Sequence, residues 1–272
     1  MPPLKIYMVT DLEGVSGVVE FEDRKDESPR NLALRHKYSR LLAGEVNAAI
    51  EGAFAAGATE ILVNDCHGGC YTIDFELLDP RVRVIHGRER PSWCVGLDES
   101  FDAMFSLGAH AMAGTRGGVL YHTWSTHVRE MRLCGRPIGE IGLEAFCAGA
   151  YGIPLIYVTG DTAACSEAEE LVPGITTVAV KEGLSRYAAI AYPPAKARQL
   201  VREGAMRAIA NRKHVKPFQP PPPYVWQVDT YPSEADSRAS HPDKLPATWT
   251  TSEEIHAQTP QDLIRKVWTR EV

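Results

Sequence analysis

The chain has 272 residues, is 44% hydrophobic and carries a formal net charge of −6. That is enough apolar material for one large core, or a core with an appendage, and the acidic balance gives no electrostatic case for nucleic acid. No apolar run approaches the roughly 18 residues of a membrane span, and Met1-Pro2-Pro3-Leu4-Lys5 leads straight towards a strand without the apolar stretch of a secretory signal.

In chain order, Lys5–Val9 is a short apolar run and is predicted as the first strand. Leu34, Tyr38, Leu41, Leu42, Val46, Ala49, Ile50 and Phe54 then recur at three- and four-residue steps, which predicts a helix between about 32 and 56, with Gly57 as its C-cap. Strands are predicted at Glu60–Val63, Val82–His86, Ala103–Leu107, Leu155–Thr159 and Thr176–Val180. Helices are predicted at Gly139–Tyr151, at Ala163–Leu171 with Asp161 or Thr162 as cap, and at Ala195–Arg212. The stretch Val119–Met131 alternates loosely and reads as a hairpin or an excursion from the sheet. Four prolines at 220–223 break any element there. Beyond them lie strand candidates at Tyr224–Asp229 and Ala247–Thr251 and a helix candidate at Pro260–Thr269. The expected architecture is α/β, a largely parallel sheet flanked by helices, with a hairpin-like excursion and a smaller C-terminal α+β appendage. Residues 1–215 are expected to form the core and 216–272 the appendage.

Three strand runs end in metal-ligand residue types. Asp11 and Glu13 follow the first, Asn64-Asp65-Cys66-His67 close the second, and His110 follows Phe105–Ala109. In a parallel sheet the C-terminal strand ends share one edge, where open α/β sheets carry their sites. Asp11, Glu13, His67 and His110 are therefore expected to converge. Singly, an Asp or Glu there reads as a cap and a His as a hydrogen-bonded side chain. Together, carboxylates and imidazoles suit Zn²⁺, Mn²⁺ or Co²⁺, and a carboxylate can bridge two ions about 3.5–4 Å apart. Asn64 and Asp65 would either orient an imidazole or open an Asx turn, and Asp161 is read as a helix cap. Six cysteines (66, 70, 94, 134, 147, 165) form no CxxC pair, which predicts reduced thiols in a cytoplasm. Cys66 and Cys70 flank His67, but no second pair completes a tetrahedral site. The glycine turns at 14–17 and 114–118 match neither a P-loop nor a dinucleotide fingerprint.

The segments YMVTDLEGVSG (7–17), EILVNDCHGG (60–69), SLGAHAMAGTRGGVLYHTWS (106–125), RPIGEIGLEAFCAGAYGIPLIYVTGD (136–161) and LVPGITTVAVKEGLSR (171–186) resemble the zinc-dependent D-aminopeptidase family. They keep its order across most of residues 4–215. The resemblance implies metal ligands at Asp11 and Glu13 from the DxEG segment, His67 from NDxH, His110 from LGxHA and Glu140 from PxGExG. These would hold two zinc ions, with Asp11 bridging. It also implies a catalytic, non-ligand histidine at His122, as oxyanion partner or proton carrier. Residues alone would leave Glu140 as a helix-dipole partner and His122 as structural. Two departures from the family stand out. Glu144, one turn after Glu140, replaces an expected neutral amide and would meet either a substrate ammonium or solvent. The segment 114–118 is one residue longer than expected.

The function so implied is a cytoplasmic, binuclear zinc aminopeptidase acting on short, D-residue-containing peptides or amino-acid amides. It would assemble as a homo-oligomeric ring, a decamer among its forms, with no nucleic-acid or membrane partner. The rivals are a two-metal amidase or peptidase with L or other acyl specificity, and a non-catalytic ring-forming peptide-binding protein. Binuclear phosphoesterases are disfavoured, because Asp-Leu-Glu replaces their Asp-x-His opening.

Overall fold

The computed structural model describes residues 3–231 and 251–269. In chain order it contains β1 (Lys5–Thr10), α1 (Pro29–Ala55), β2 (Glu60–Asp65), β3 (Arg83–Ile85), β4 (Ala103–Ala109), β5 (Val128–Leu133) and β6 (Arg136–Pro137). There follow α2 (Glu140–Gly149), β7 (Leu155–Asp161), α3 (Thr162–Leu171), β8 (Thr176–Ser185), β9 (Ala188–Ala191), α4 (Pro194–Asn211), β10 (Tyr224–Thr230), β11 (Thr251–Ala257) and α5 (Pro260–Thr269).

Seven strands form the main sheet in the order β3-β2-β1-β4-β7-β8-β9. All neighbours are parallel except β9, which returns antiparallel on β8. Every residue of β4 and β7 is buried, as expected of central parallel strands covered on both faces. Helices α1 and α4 pack on one another and against this sheet, while α2 and α3 pack together against β4, β7 and β8. Local sequence explains the boundaries. Ser28 accepts a hydrogen bond from the Asn31 amide, and Pro29 opens α1 where its missing N–H costs nothing. Asp161 Oδ1 accepts from the Ala164 amide at 2.8 Å, so it caps α3, as its sequence position suggests.

The departure from the main sheet falls later than the sequence pattern suggests. Residues 119–127 are irregular apart from an isolated bridge, because their backbone groups bond side chains and loops. The Val119 amide donates to Asp161 Oδ2, and the Leu120 amide donates to the Arg186 carbonyl. The hairpin proper is β5–β6, and it leaves the main sheet for a second, antiparallel one of order β11-β10-β5-β6. Its own apolar cluster joins Met131, Leu133, Leu143 and Phe146 to Trp226 and Leu263. The strand candidate Ala247–Thr251 lies outside the described residues up to 250. At 251 it meets β11, which continues to Ala257. Among the described residues no helix is long and apolar enough to cross a membrane.

Candidate metal centre

The ends of β1, β2 and β4 lie side by side, with Thr10 in register with Asp65 on one flank and Leu107 on the other. The chain leaving β1 turns tightly over β4. The Asp11 amide donates to the Leu107 carbonyl at 2.8 Å and the Gly14 amide to the Gly108 carbonyl at 2.7 Å. A Cβ on Gly14 would collide with the Ala109 carbonyl, and one on Gly108, whose φ is +73°, with the Asp11 carbonyl. These two glycines therefore allow a close backbone crossing that projects Asp11 and Glu13 over the sheet edge.

The crossing is tied down from beneath by Lys181 on β8. Its buried ammonium donates to the carbonyls of Glu13, Val15 (3.0 Å) and Val18 (2.6 Å). Burial pushes this ammonium down to about 8, against the pull of Asp161 and Glu45. Lys181→Met would leave all these carbonyls without their donor. It is expected to lower stability by about 3 kcal/mol and to weaken metal retention. Urea unfolding and metal content after dialysis check both, and an unchanged midpoint with full metal content would deny Lys181 this role.

All five sequence-assigned ligand residues come together here. His67 Nε2 lies 3.2 Å from Glu13 Oε1. His110 Nε2 lies 3.4 Å from Asp11 Oδ2 and 3.3 Å from Glu140 Oε1. Two overlapping sets, Asp11/Glu13/His110 and His110/His122/Glu140, each bring ligand atoms within 4.8 Å of one another. His122 stacks on His110 with ring centroids 3.9 Å apart and its Nε2 4.0 Å from Glu140. Hydrogen bonds fix the rings. His110 Nδ1 lies 3.0 Å from the Ala111 carbonyl and His122 Nδ1 lies 2.9 Å from the Leu120 carbonyl. A carbonyl can only accept, so each Nδ1 carries the proton and each Nε2 faces the carboxylates. Glu140 is held by the Trp124 amide at 2.7 Å.

The electrostatics fit a divalent ion. Burial, then the Glu13 charge, holds the Asp11 carboxyl well above the usual carboxylate range. Burial opposes charge on Glu13 and Glu140 as well, but His67 and His110 respectively outweigh it and keep both carboxyls low. Burial likewise opposes the His67 imidazolium, yet Glu13 drives it up to about 9, and Asp11 and Glu140 hold His110 well above the usual imidazole range. The carboxylates thus draw positive charge into a buried site. His122 goes the other way, pushed down to about 4 by burial and by His110. Glu13 Oε2 and His110 Nε2 are buried with no hydrogen-bond partner among the described residues. Carboxylate oxygen and imidazole nitrogen left without such partners are donor types that zinc takes.

Several supporting groups were not evident in the sequence. His67 Nδ1 lies 3.0 Å from Thr72 Oγ1 and 3.2 Å from Arg24 Nη2, so an Arg from the loop before α1 orients a ring on the β2 loop. Asp65 does not touch His67. It accepts from the Ile73 amide and His86 Nδ1, closing the loop that carries His67. Asn64 Nδ2 donates to the Trp93 carbonyl. The Cys66 and Cys70 thiols point at the carbonyls of Trp93 and Cys66, and neither joins a metal-binding set among the described residues. The centre opens into a cavity of about 770 Å³ lined by Asp11, His67, His122, Glu140 and Glu144 and walled by Trp93, Trp124 and Trp268.

A family model described as D-aminopeptidase matches residues 4–267. A D-aminopeptidase of Bacillus subtilis (strain 168) is 40% identical over 228 residues, 83% of this chain and 81% of its own length. The solved structure of the Zn-dependent D-aminopeptidase DppA from Bacillus subtilis, described as a self-compartmentalizing protease, matches with a TM-score of 0.83. The two are 34% identical, over 97% of each chain.

Proposed function

The chain belongs to the D-aminopeptidase family, and from that premise we propose that it is a binuclear zinc aminopeptidase. It releases the N-terminal residue, of D configuration, from short peptides or amino-acid amides. The observation that carries the reading is the cluster of buried carboxylates and imidazoles, with Glu13 Oε2 and His110 Nε2 unpartnered, at the floor of a cavity large enough for a dipeptide. Asp11, Glu13, His67, His110 and Glu140 would hold two zinc ions, Asp11 between them. Mn²⁺ and Co²⁺ share these ligand types. When bound, zinc supplies Lewis-acid polarisation of the amide carbonyl and a water that ionises near neutral pH.

The chain's own groups supply the rest. His122 is neutral, with Nδ1–H committed to the Leu120 carbonyl, so Nε2 is the atom that accepts a proton as water attacks the carbonyl carbon. The same Nε2 returns that proton to the amine as the C–N bond breaks. The Trp124 amide holds Glu140 in place while the Trp93 and Trp124 rings, stacked at 5.6 Å, keep bulk water from the cavity wall. Among the described residues after 215, Tyr231, Val267 and Trp268 line this cavity, which supports the reading of a C-terminal appendage beside the core.

The chain also assembles with copies of itself into a ring. Leu184, Tyr187, Ile190 and Tyr192, on or beside the β8–β9 hairpin, are exposed apolar residues that support such a surface. Six unpaired thiols support a cytoplasmic setting.

Initial rates on D-alaninamide and L-alaninamide, before and after chelation, test the function. The D substrate is expected to be cleaved faster, with activity lost on chelation and restored by zinc. Cleavage that survives chelation, or no cleavage of either substrate, would refute it.

A further inference from the structure

An aminopeptidase must distinguish the end of a chain from its middle, and the end carries an α-ammonium. Among the described residues lining the cavity are carboxylates and imidazoles but no Lys or Arg. One of the carboxylates has no assigned work. Glu144 sits one helical turn beyond Glu140 on α2, on the same face. It is 3% exposed, and its Oε2 is buried without a hydrogen-bond partner among the described residues. It joins neither metal-binding set there, and no role in holding the metal is assigned to it. The Ser106 hydroxyl is placed to donate a hydrogen bond to the carboxyl, and the charges around it are the repelling carboxylates Glu140 and Glu167 and the attracting His110. Burial leads in pushing its carboxyl up to about 8. Such a group is unfavourable in a folded protein unless something is meant to meet it.

Resting on the aminopeptidase reading, we propose that Glu144 anchors the substrate's α-ammonium, one turn from Glu140 in the metal cluster. A turn of helix separates side chains by about 6 Å, the scale of an amino-acid amide. Stereoselection requires fixed points for the carbonyl, the amine and the side chain. The metal cluster, Glu144 and the Trp93/Trp124/Trp268 wall provide one each. The anchor therefore sets both the need for a free N-terminus and the configuration accepted.

The test uses zinc-loaded parent, Glu144→Gln and Glu144→Asp. Hydrolysis of D-alaninamide is measured beside binding of D-alaninol, read by quenching of the cavity tryptophans. The neutral control is 1,2-propanediol, in which a hydroxyl replaces the amine. Gln matches the protonated acid in shape, so the melting temperature and zinc content are expected to hold. KM for D-alaninamide and Kd for D-alaninol should both rise about 10- to 100-fold, with kcat and diol binding little changed and the Asp variant intermediate. A Gln variant whose D-alaninol affinity stays within about twofold of the parent overturns the anchor, as does loss of zinc. If the parent hydrolyses no amide yet binds D-alaninol through Glu144, the hydrolytic reading fails and the anchor stands. If hydrolysis is normal and the Gln variant binds unchanged, the anchor fails alone.

Discussion

His122→Ala is expected to keep its full zinc content and to lose about 10²- to 10⁴-fold in kcat, the usual weight of a positioned proton carrier. The ring is held by two contacts that have nothing to do with substrate, the Leu120 carbonyl and the face of His110. Burial and the neighbouring His110 keep it neutral, which leaves the Nε2 lone pair open. Removing it leaves Asp11, Glu13, His67, His110 and Glu140 in place. The loss should therefore fall on kcat, with KM for D-alaninamide little altered. Metal analysis and steady-state rates on the same preparation decide the matter. If one zinc equivalent disappears with the ring, His122 is a ligand, as its place beside His110 and Glu140 also allows. Unaltered kcat would remove it from the mechanism.

Asp11→Asn is expected to abolish activity through loss of zinc while leaving the metal-free protein at least as stable as the parent. The sign follows from the site's charges. Asp11 is buried beside Glu13 and Glu140, so without metal its ionised form is disfavoured. Asn keeps the Oδ1 that accepts from the Leu12 amide at 2.8 Å and is neutral without having to take up a proton on folding. With zinc the balance reverses, because the bridging position needs an anionic oxygen. Calorimetric scans with and without zinc should show a metal-induced rise in melting temperature for the parent and little or none for the variant. A variant that still binds two equivalents tightly would move the bridge to another carboxylate.

The order of strands and helices was legible because parallel strands buried on both faces carry dense apolar runs, as Leu155–Thr159 does, and amphipathic helices carry a repeating stripe, as α1 does. The sheet edge was legible for a related reason: Asp11, His67 and His110 each interrupt an apolar run at its C-terminal end. Glu140 was not, since a Glu opening a helix also suits the helix dipole, and only the family resemblance singled it out. Arg24 was invisible because its work depends on a loop meeting a ring 43 residues away, and Thr72 because a threonine five residues after His67 looks like any loop residue. The same holds for Lys181, which looks like an ordinary β-strand lysine until it is seen to gather carbonyls from residues 13–18. The β9 return strand was missed because Ala188–Ala191 is short and sits at the sheet's edge, where little apolar pattern is needed. The excursion was placed too early because residues 119–127 bond mainly to side chains and loops, a choice that composition does not record.

Diffraction from zinc-loaded crystals, recorded on both sides of the zinc absorption edge, tests the central claim most directly. The account expects two anomalous peaks per subunit, within about 2.0–2.2 Å of donor atoms on Asp11, Glu13, His67, His110 and Glu140. No peak among these residues, or zinc bound instead at the Cys66–Cys70 loop, would contradict it.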